Sequence, residues 1–181
     1  REGYEKPGAI CMVEYDPQKR EIIGYPKRIW NGGTDRGCIE APHLTKRNGY
    51  YYIMCAEGGT GYNHCVTMGR SEHVWGPYER DPENPILTSL PGESYERHNP
   101  DHLKPKYYNP ASVLQKSGHG SYVETPDGEV YMVFHTSRPF VPELCCTLGR
   151  ETAIQKMIWT GDGWLRSASG SNMAQEETPE S

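Results

Sequence analysis

Apolar positions alternate with polar positions over short runs of the chain, and no long stretch keeps the period of about 3.6 residues that an amphipathic helix shows. Gly and Pro interrupt the sequence every few residues, which also disfavours helices. The short runs are rich in Val, Ile, Tyr and Thr, residue types that pack well on a pleated sheet. The pattern therefore predicts an all-β chain. The predicted strands are residues 9–15, 42–46, 50–56, 65–69, 121–125, 130–136 and 152–159.

Two tight turns connect pairs of these predicted strands. Asn48-Gly49 and Asp127-Gly128 each lie between two strands, and both dipeptides tolerate the positive φ that hairpin turns need. Aligning Gly49 with Gly128 reveals an internal repeat of about eighty residues. A loop over residues 88–116, rich in Pro, His, Asn and Tyr, lengthens the unit. Without this insertion, each unit is near the size of a propeller blade, which is a four-stranded antiparallel sheet.

The repeat also relates two candidate functional residues. Superposing Gly49 on Gly128 places Glu40 opposite His119, each just before the first predicted strand of its unit. The innermost strands of a propeller line a central channel, so both side chains are predicted to point toward a common axis. The alternative, that both are exposed loop residues, stays open at this point.

Glu40 is the candidate general acid. It follows the Gly-rich segment Asn31-Gly32-Gly33 and precedes Ala41-Pro42. The proline fixes its own φ and biases Ala41 toward extended backbone, so Glu40 is predicted to be held rigidly where a strand begins. Partial shielding from water would raise the pKa of its carboxyl above the value of about 4.3 for free Glu. This favours the protonated form that a general acid needs.

Composition narrows the classes of function. The chain has 181 residues and a formal net charge of −5, with both signs scattered along it, which disfavours a nucleic-acid-binding surface. No apolar run approaches the roughly 20 residues of a membrane span, and no signal-peptide core follows Arg1, so further sequence is expected upstream. The 13 Tyr and 4 Trp suit a carbohydrate cleft as well as a half-buried sheet. The 6 Cys show no C-x-x-C spacing, so neither a zinc site nor a redox motif is predicted.

A series of short motifs follows beyond Ile39. They are Glu40-Ala41-Pro42-His43-Leu44, Asn48-Gly49-Tyr50-Tyr51-Tyr52, Ala56-Glu57-Gly58-Gly59-Thr60, Gly76-Pro77-Tyr78-Glu79, Asn84-Pro85-Ile86-Leu87-Thr88, Gln115-Lys116-Ser117-Gly118-His119-Gly120-Ser121, Arg138-Pro139 and Leu148-Gly149-Arg150-Glu151-Thr152-Ala153-Ile154-Gln155. In this order and spacing they resemble glycoside hydrolase family 43, in its β-xylosidase and α-L-arabinofuranosidase branch. Each motif is short, and their ordered combination makes the resemblance specific.

The resemblance implies a five-bladed β-propeller that hydrolyses xylosides or arabinofuranosides with inversion. It implies that Glu40 is the general acid, and that the base Asp and an Asp that tunes the acid lie upstream of Arg1. Residues 1–166 would be the later half of the propeller, and residues 167–181 a polar linker toward a missing β-sandwich domain. The isolated segment is expected to be nearly inactive, because it would lack the carboxylate that activates water.

The resemblance further implies substrate contacts from Arg138, Thr60 and His119. The fixed donors of a guanidinium suit Arg138 for binding sugar hydroxyls. His119 matches a channel histidine that approaches a hydrated calcium ion in some members. Because imidazole is a poor direct ligand of calcium, water-mediated contact or a hydrogen bond to the acid-base groups is expected. Glu57 and the run Gly149-Arg150-Glu151-Thr152 are interpreted as structural, holding strands through buried charge pairs.

The expected partner is a xylo-oligosaccharide or an arabinosylated substrate, with neither nucleic acid nor membrane. No cofactor is expected to be required, and the resemblance leaves room for a structural calcium ion. The sequence does not indicate which sugar is preferred, the compartment or the oligomeric state. The competing hypothesis is a non-catalytic chain, either a carbohydrate-binding module or a degenerate propeller remnant. An in-frame first blade with its Asp upstream of Arg1 would distinguish the enzyme from the remnant.

Overall fold

A computed structural model describes residues 8–91, 107–146 and 149–178. The named elements in these ranges are all β-strands, which confirms the predicted all-β class. Across the same residues, no helix has the length and apolarity needed to cross a bilayer. The strands are β1 Ile10–Asp16, β2 Glu21–Trp30, β3 Glu40–Arg47, β4 Tyr50–Glu57, β5 Cys65–Ser71, β6 Glu79–Arg80, β7 Leu87–Thr88, β8 Gln115–Glu124, β9 Val130–Ser137, β10 Glu151–Trp159 and β11 Leu165–Ser167.

The strands form one ribbon and two larger antiparallel sheets. β1 and β2 make the ribbon, the first sheet has the order β3-β4-β5-β6 with β7 also paired to β5, and the second has the order β8-β9-β10-β11. Strands that follow one another along these orders are also consecutive in the chain. Each larger sheet is therefore a meander that starts at β3 or β8, as the internal repeat predicts.

All seven predicted strands are present, whereas β2, β6, β7 and β11 were missed. β2 shows no alternation, because eight consecutive residues from Glu21 are exposed. β8 begins at Gln115, earlier than the predicted start at Ser121. The prediction missed this start because the glycines around His119 obscure the alternation of apolar and polar residues. Within the predicted insertion, Thr88, Gln115 and Lys116 lie in strands, and residues 92–106 fall outside the described residues.

β4 and β5 of the first sheet are buried on both faces, which explains the continuous apolar run of β4. One core cluster lies between the two larger sheets, where β8 packs against β4 and β5. A second cluster lies between the ribbon and the first sheet. The first cluster includes Met54, Val66, Met68, Met132, Phe134, Met157 and Leu165, and the second includes Ile10, Trp30, Ile39, Ile53, Cys55 and Tyr78.

Polar contacts join β3 to β8 across the two sheets. The hydroxyl oxygens of Thr45 and Tyr122 are 2.9 Å apart, and Arg47 donates to Glu124 at 2.5 Å. The two contacts occur in the same order along both strands, so β3 and β8 run in the same direction. The starts of these two strands consequently lie at the same end of the stacked sheets.

The described part of the predicted linker packs on both sheets. Thr88 and Met173 form a parallel bridge, and the Ala174 amide donates to the Thr88 carbonyl oxygen at 2.8 Å. The Gln175 amide donates to Gln155 Oε1 at 2.9 Å, and Ala174 is buried. Residues 173–175 thus belong to the packed body, and a link from residues 167–181 to another domain stays a prediction.

Candidate active site

Glu40 is the first residue of β3, and a β-bulge sets its position. It pairs with Ala56, whereas the next pair is His43 with Met54, so β3 has one more residue than β4 in this interval. Ala41 in the bulge has φ 51°, and the expectation of an extended Ala41 is therefore wrong. A left-handed conformation costs a non-glycine residue about 1–2 kcal/mol, which the paired strands on either side offset. Glu40 itself is exposed and accessible to a ligand.

The loop that precedes Glu40 is anchored by Glu57, the last residue of β4. Its carboxylate accepts hydrogen bonds from the Gly33 amide at 2.5 Å, the Thr34 amide at 3.1 Å and the Thr34 hydroxyl at 2.5 Å. The Thr67 hydroxyl donates to it at 2.7 Å. A Cβ at Gly32 would lie 2.5 Å from Glu57 Oε1, and Gly32 has φ 103°, so the position requires glycine. These contacts support a structural role for Glu57. The donors are backbone amides and hydroxyls, which are neutral, so the charge pair expected for Glu57 is wrong.

A second group of polar residues joins the loop after β4 to the starts of β8 and β10. We refer to Thr60, His64, Lys116 and Arg150 as the Thr60 cluster. Arg150 donates to the carbonyl oxygen of Lys116 at 2.8 Å and to the carbonyl oxygen of Thr60. Partial burial lowers the pKa of Arg150, which nevertheless stays cationic. Arg150 is thus a site residue that the sequence interpretation missed. The predicted succession of antiparallel strands could have indicated Arg150, because β8 and β10 then begin at the same end of one sheet.

His64 is buried in this cluster as a neutral imidazole. Burial, followed by the positive charges of Arg150, His119 and His135, lowers its pKa to about 4, against the opposing effect of a hydrogen bond to Lys116. Its Nδ1 is 3.0 Å from the Lys116 carbonyl oxygen. Because a carbonyl only accepts, the proton lies on Nδ1. The 3.4 Å approach of Arg150 Nη1 to the same nitrogen is then a contact between two donors and not a hydrogen bond.

His119 lies in a second bulge, at the start of β8. It has φ 53° and lies within the register shift between Gly118 and Ser121. Another shift, between Gln115 and Gly118, precedes it. The ring of His64 packs on the neighbouring Gly118, where a Cβ would lie 2.5 Å from the imidazole. Of the predicted site residues, Thr60 therefore belongs to the cluster and His119 adjoins it through Gly118. Glu40 begins the adjacent strand β3 at the same end of the sheets.

Arg138 follows the end of β9, which pairs with the starts of β8 and β10, so it lies at the same end of the second sheet as the Thr60 cluster. It is exposed, and its Nε donates to Glu151 Oε2 at 3.0 Å while its Nη2 donates to the same oxygen. This bond lowers the pKa of Glu151 and raises that of Arg138. The pair lies at the surface, so the buried charge pair expected for the run around Glu151 is wrong. A substrate contact from Arg138 stays a prediction.

The surroundings of His119 do not fit direct coordination of calcium. In residues 8–91, 107–146 and 149–178, no three or more His, Cys, Asp or Glu side chains come together as a metal-ligand set. The ring beside His119 is that of His135, a nitrogen donor, whereas calcium takes oxygen ligands. Water-mediated contact between His119 and calcium stays a prediction.

Comparison with known proteins gives a consistent result. The family described as Glycosyl hydrolases family 43 matches residues 1–165. Xylosidase/arabinosidase 43B of Humicola insolens is 45% identical over 161 residues, which cover 89% of this chain and 27% of that protein. A β-xylosidase of Bacillus subtilis (strain 168) is 42% identical over 165 residues, which cover 87% of this chain and 27% of that protein.

A solved structure agrees with these sequence matches. The crystal structure of a xylan β-1,4-xylosidase from Bacillus halodurans C-125 superposes with a TM-score of 0.78 at 43% identity, covering 94% of this chain and 29% of that one. This chain accordingly spans a little over a quarter of the length of these relatives. Because the family match extends over most of the chain, and sequence and fold agree, the chain belongs to glycoside hydrolase family 43.

Proposed function

We propose that the protein carrying this chain hydrolyses xylosides or arabinofuranosides, with Glu40 as the general acid. The observation that carries this proposal is the exposed carboxyl of Glu40 at the start of β3, in a chain that belongs to family 43. The bulge at Ala41 supports it, because bulges that re-aim a side chain are common next to active sites. The relatives named above as xylosidases or arabinosidases support the substrate class.

The proposed mechanism is inversion at the anomeric carbon. Glu40 donates its proton to the glycosidic oxygen as the bond to the leaving sugar breaks. A carboxylate base removes a proton from the attacking water on the opposite face, roughly 6.5–9.5 Å from the acid. We place this base, and the Asp that tunes the acid, outside the 181 residues. The two larger sheets would be consecutive blades of a five-bladed propeller, within residues 1–166.

The Thr60 cluster and His119 would bind the sugar. They lie at the end of the stacked sheets where β3 and β8 begin, the end at which Glu40 is exposed. Arg150 is a positioning residue in this scheme, since it holds the backbone of Thr60 and of Lys116. The exposed Thr60 and His119 provide the polar groups that face the substrate.

The role of Glu40 is tested in the full-length natural protein with substrates that differ in their leaving group. Glu40→Gln should reduce kcat on an oligosaccharide by about 10²–10⁴-fold, because the departing alkoxide needs a proton. A dinitrophenyl glycoside, which leaves without protonation, should lose far less. Glu72→Gln, an exposed residue beyond the opposite end of β5, is the matched control. Equal losses on both substrates would show that Glu40 is not the acid.

The isolated 181-residue chain tests the location of the base. We expect no hydrolysis of nitrophenyl xyloside by this chain. Hydrolysis that Glu40→Gln abolishes would place a base within these residues and overturn that part of the proposal. Xylose binding without hydrolysis, in the full-length protein as well, would favour a non-catalytic carbohydrate-binding role instead.

A further inference from the structure

A buried histidine of the first sheet contacts the bulge that carries His119 in the second sheet. His64 immediately precedes β5 and is only 3% exposed. Its Nδ1–H donates to the carbonyl oxygen of Lys116 at 3.0 Å. Its ring packs on Gly118 so closely that a Cβ there would lie 2.5 Å from the imidazole. His64 therefore holds the backbone on both sides of Ser117, just before His119.

The backbone of this bulge has a conformation that its own residues do not favour. Lys116 has φ 58° and His119 has φ 53°, both in the left-handed region that is unfavourable for residues with a Cβ. Two such residues within four positions persist only where the surroundings determine the backbone. The contacts of His64 fall at Lys116 and at Gly118, so they act where this conformation has to be maintained.

Other buried side chains hold the residue between these two contacts. The Ser117 amide donates to the Ser89 hydroxyl at 3.2 Å, and the Ser89 hydroxyl donates to the Ser117 hydroxyl at 2.6 Å. The Ser117 hydroxyl also lies 2.8 Å from Thr136 Oγ1 in β9. These contacts fix Ser117, whereas the ring of His64 reaches Gly118, the residue next to His119.

His64 is itself held at its backbone. Its amide donates to the carbonyl oxygen of Gly61 at 3.1 Å, and the Thr88 hydroxyl donates to its carbonyl oxygen at 3.3 Å. Gly61 follows Thr60 directly in the chain. His64 thus connects the turn beside Thr60, in the first sheet, with the bulge of His119, in the second.

We propose that His64 is a positioning residue that sets the side chain of His119 at the proposed sugar-binding end of the sheets. Because His64 is buried and its N–H is bonded to Lys116, it acts through the backbone and not by contact with substrate. Its effect on catalysis rests on the proposed function, whereas its hold on the bulge rests on the contacts alone.

Steady-state kinetics of the full-length natural protein test the effect on catalysis. His64→Ala removes both the donor and the ring. We expect KM to rise about tenfold while kcat changes by less than about threefold, because a binding contact from His119 is misplaced. Tyr52→Phe removes a hydrogen bond to Gly163 at the opposite end of the sheets and should leave KM unchanged. A KM in His64→Ala equal to that of this control would overturn the proposal.

A second substitution tests the contact with Gly118. Gly118 does not have positive φ, so alanine suits its backbone, and the added Cβ meets the imidazole of His64. Gly118→Ala should therefore raise KM on its own. Since the ring is absent in His64→Ala, the same substitution should add little in that background. Equal factors in both backgrounds would overturn the proposal, because Gly118 would then act independently of His64.

Hydrogen exchange tests the hold on the bulge without reference to activity. Amide exchange over residues 115–124 should become faster by about tenfold or more in His64→Ala and should stay unchanged in Tyr52→Phe. Faster exchange with an unchanged KM would show that His64 only stabilises the fold, which overturns the positioning role. Unchanged exchange in His64→Ala would overturn the hold on the bulge. Absence of hydrolysis by the unmodified protein would instead contradict the proposed function.

Discussion

Arg150 donates a hydrogen bond to the carbonyl oxygen of Thr60, which lies 90 residues earlier in the chain. The same guanidinium donates to the carbonyl oxygen of Lys116, 34 residues earlier. One side chain therefore ties together the loop after β4, the start of β8 and the start of β10. The two larger sheets contribute different parts of this cluster, so its geometry depends on how they stack.

The two arginines near β10 should respond differently to substitution by lysine. Lysine cannot reproduce the fork with which Arg150 reaches two carbonyl oxygens, so Arg150→Lys should destabilise the chain by about 1–3 kcal/mol. Arg138→Lys alters an exposed ion pair and should leave the free energy of unfolding nearly unchanged. Urea unfolding of both variants measures this. In the full-length protein, Arg150→Lys should also raise KM. Equal losses of stability in the two variants would contradict the anchoring of two backbone segments by Arg150.

His64 should make stability depend on pH. Its pKa in the folded chain is about 4, below the ordinary value of 6.5, so the unfolded chain binds more protons between these limits. The stabilisation is complete above pH 6.5 and is lost as the pH falls toward 4. Its size is on the order of 3 kcal/mol. Burial and the charges of Arg150, His119 and His135 cause the shift.

The comparison of two unfolding series isolates this effect. Unfolding free energies at several pH values from 4 to 7 should fall with acidity more steeply in the unmodified chain than in His64→Gln. Other groups titrate in both proteins and cancel in the difference between them. Parallel curves would show that His64 is not held as a neutral ring.

Glu57 should be sensitive to loss of its charge alone. Glu57→Gln keeps the shape but turns an amide NH₂ toward groups that donate to the carboxylate, namely the amides of Gly33 and Thr34 and two hydroxyls. We expect a loss of about 2–3 kcal/mol in the free energy of unfolding. Glu72→Gln, on an exposed carboxylate, should stay within about 0.5 kcal/mol. If both variants unfold alike, Glu57 does not anchor the loop.

The bulge at Ala41 predicts whether a glycine substitution at this position raises or lowers the free energy of unfolding. Because Ala41 has positive φ, Ala41→Gly should stabilise the chain by about 1 kcal/mol. An extended Ala41 would give the opposite sign, a loss of about 0.5–1 kcal/mol, which is the result expected for the control Ala153→Gly in β10. Thermal or urea unfolding distinguishes the two outcomes directly.

The sequence pattern indicates some strands and not others, and the reason lies in how each strand is buried. β4 and β9 were found because one is buried on both faces and the other alternates, and both patterns are local. β2 was missed because its exposed residues carry no periodicity, and β6 and β7 because they are two residues long. The start of β8 was missed because a bulge breaks its alternation around His119.

The sequence by itself determined the β class, the two hairpins, the repeat and the position of Glu40 where a strand begins, since these follow from neighbours along the chain. Only the tertiary structure decided that Arg150 contacts Thr60, that His64 is a buried neutral ring and that His119 faces His135. The physical reason is that these contacts depend on the stacking of two sheets and on two bulges. A bulge shifts every later side chain by one position, and its location is set by pairing with a strand that lies elsewhere in the sequence.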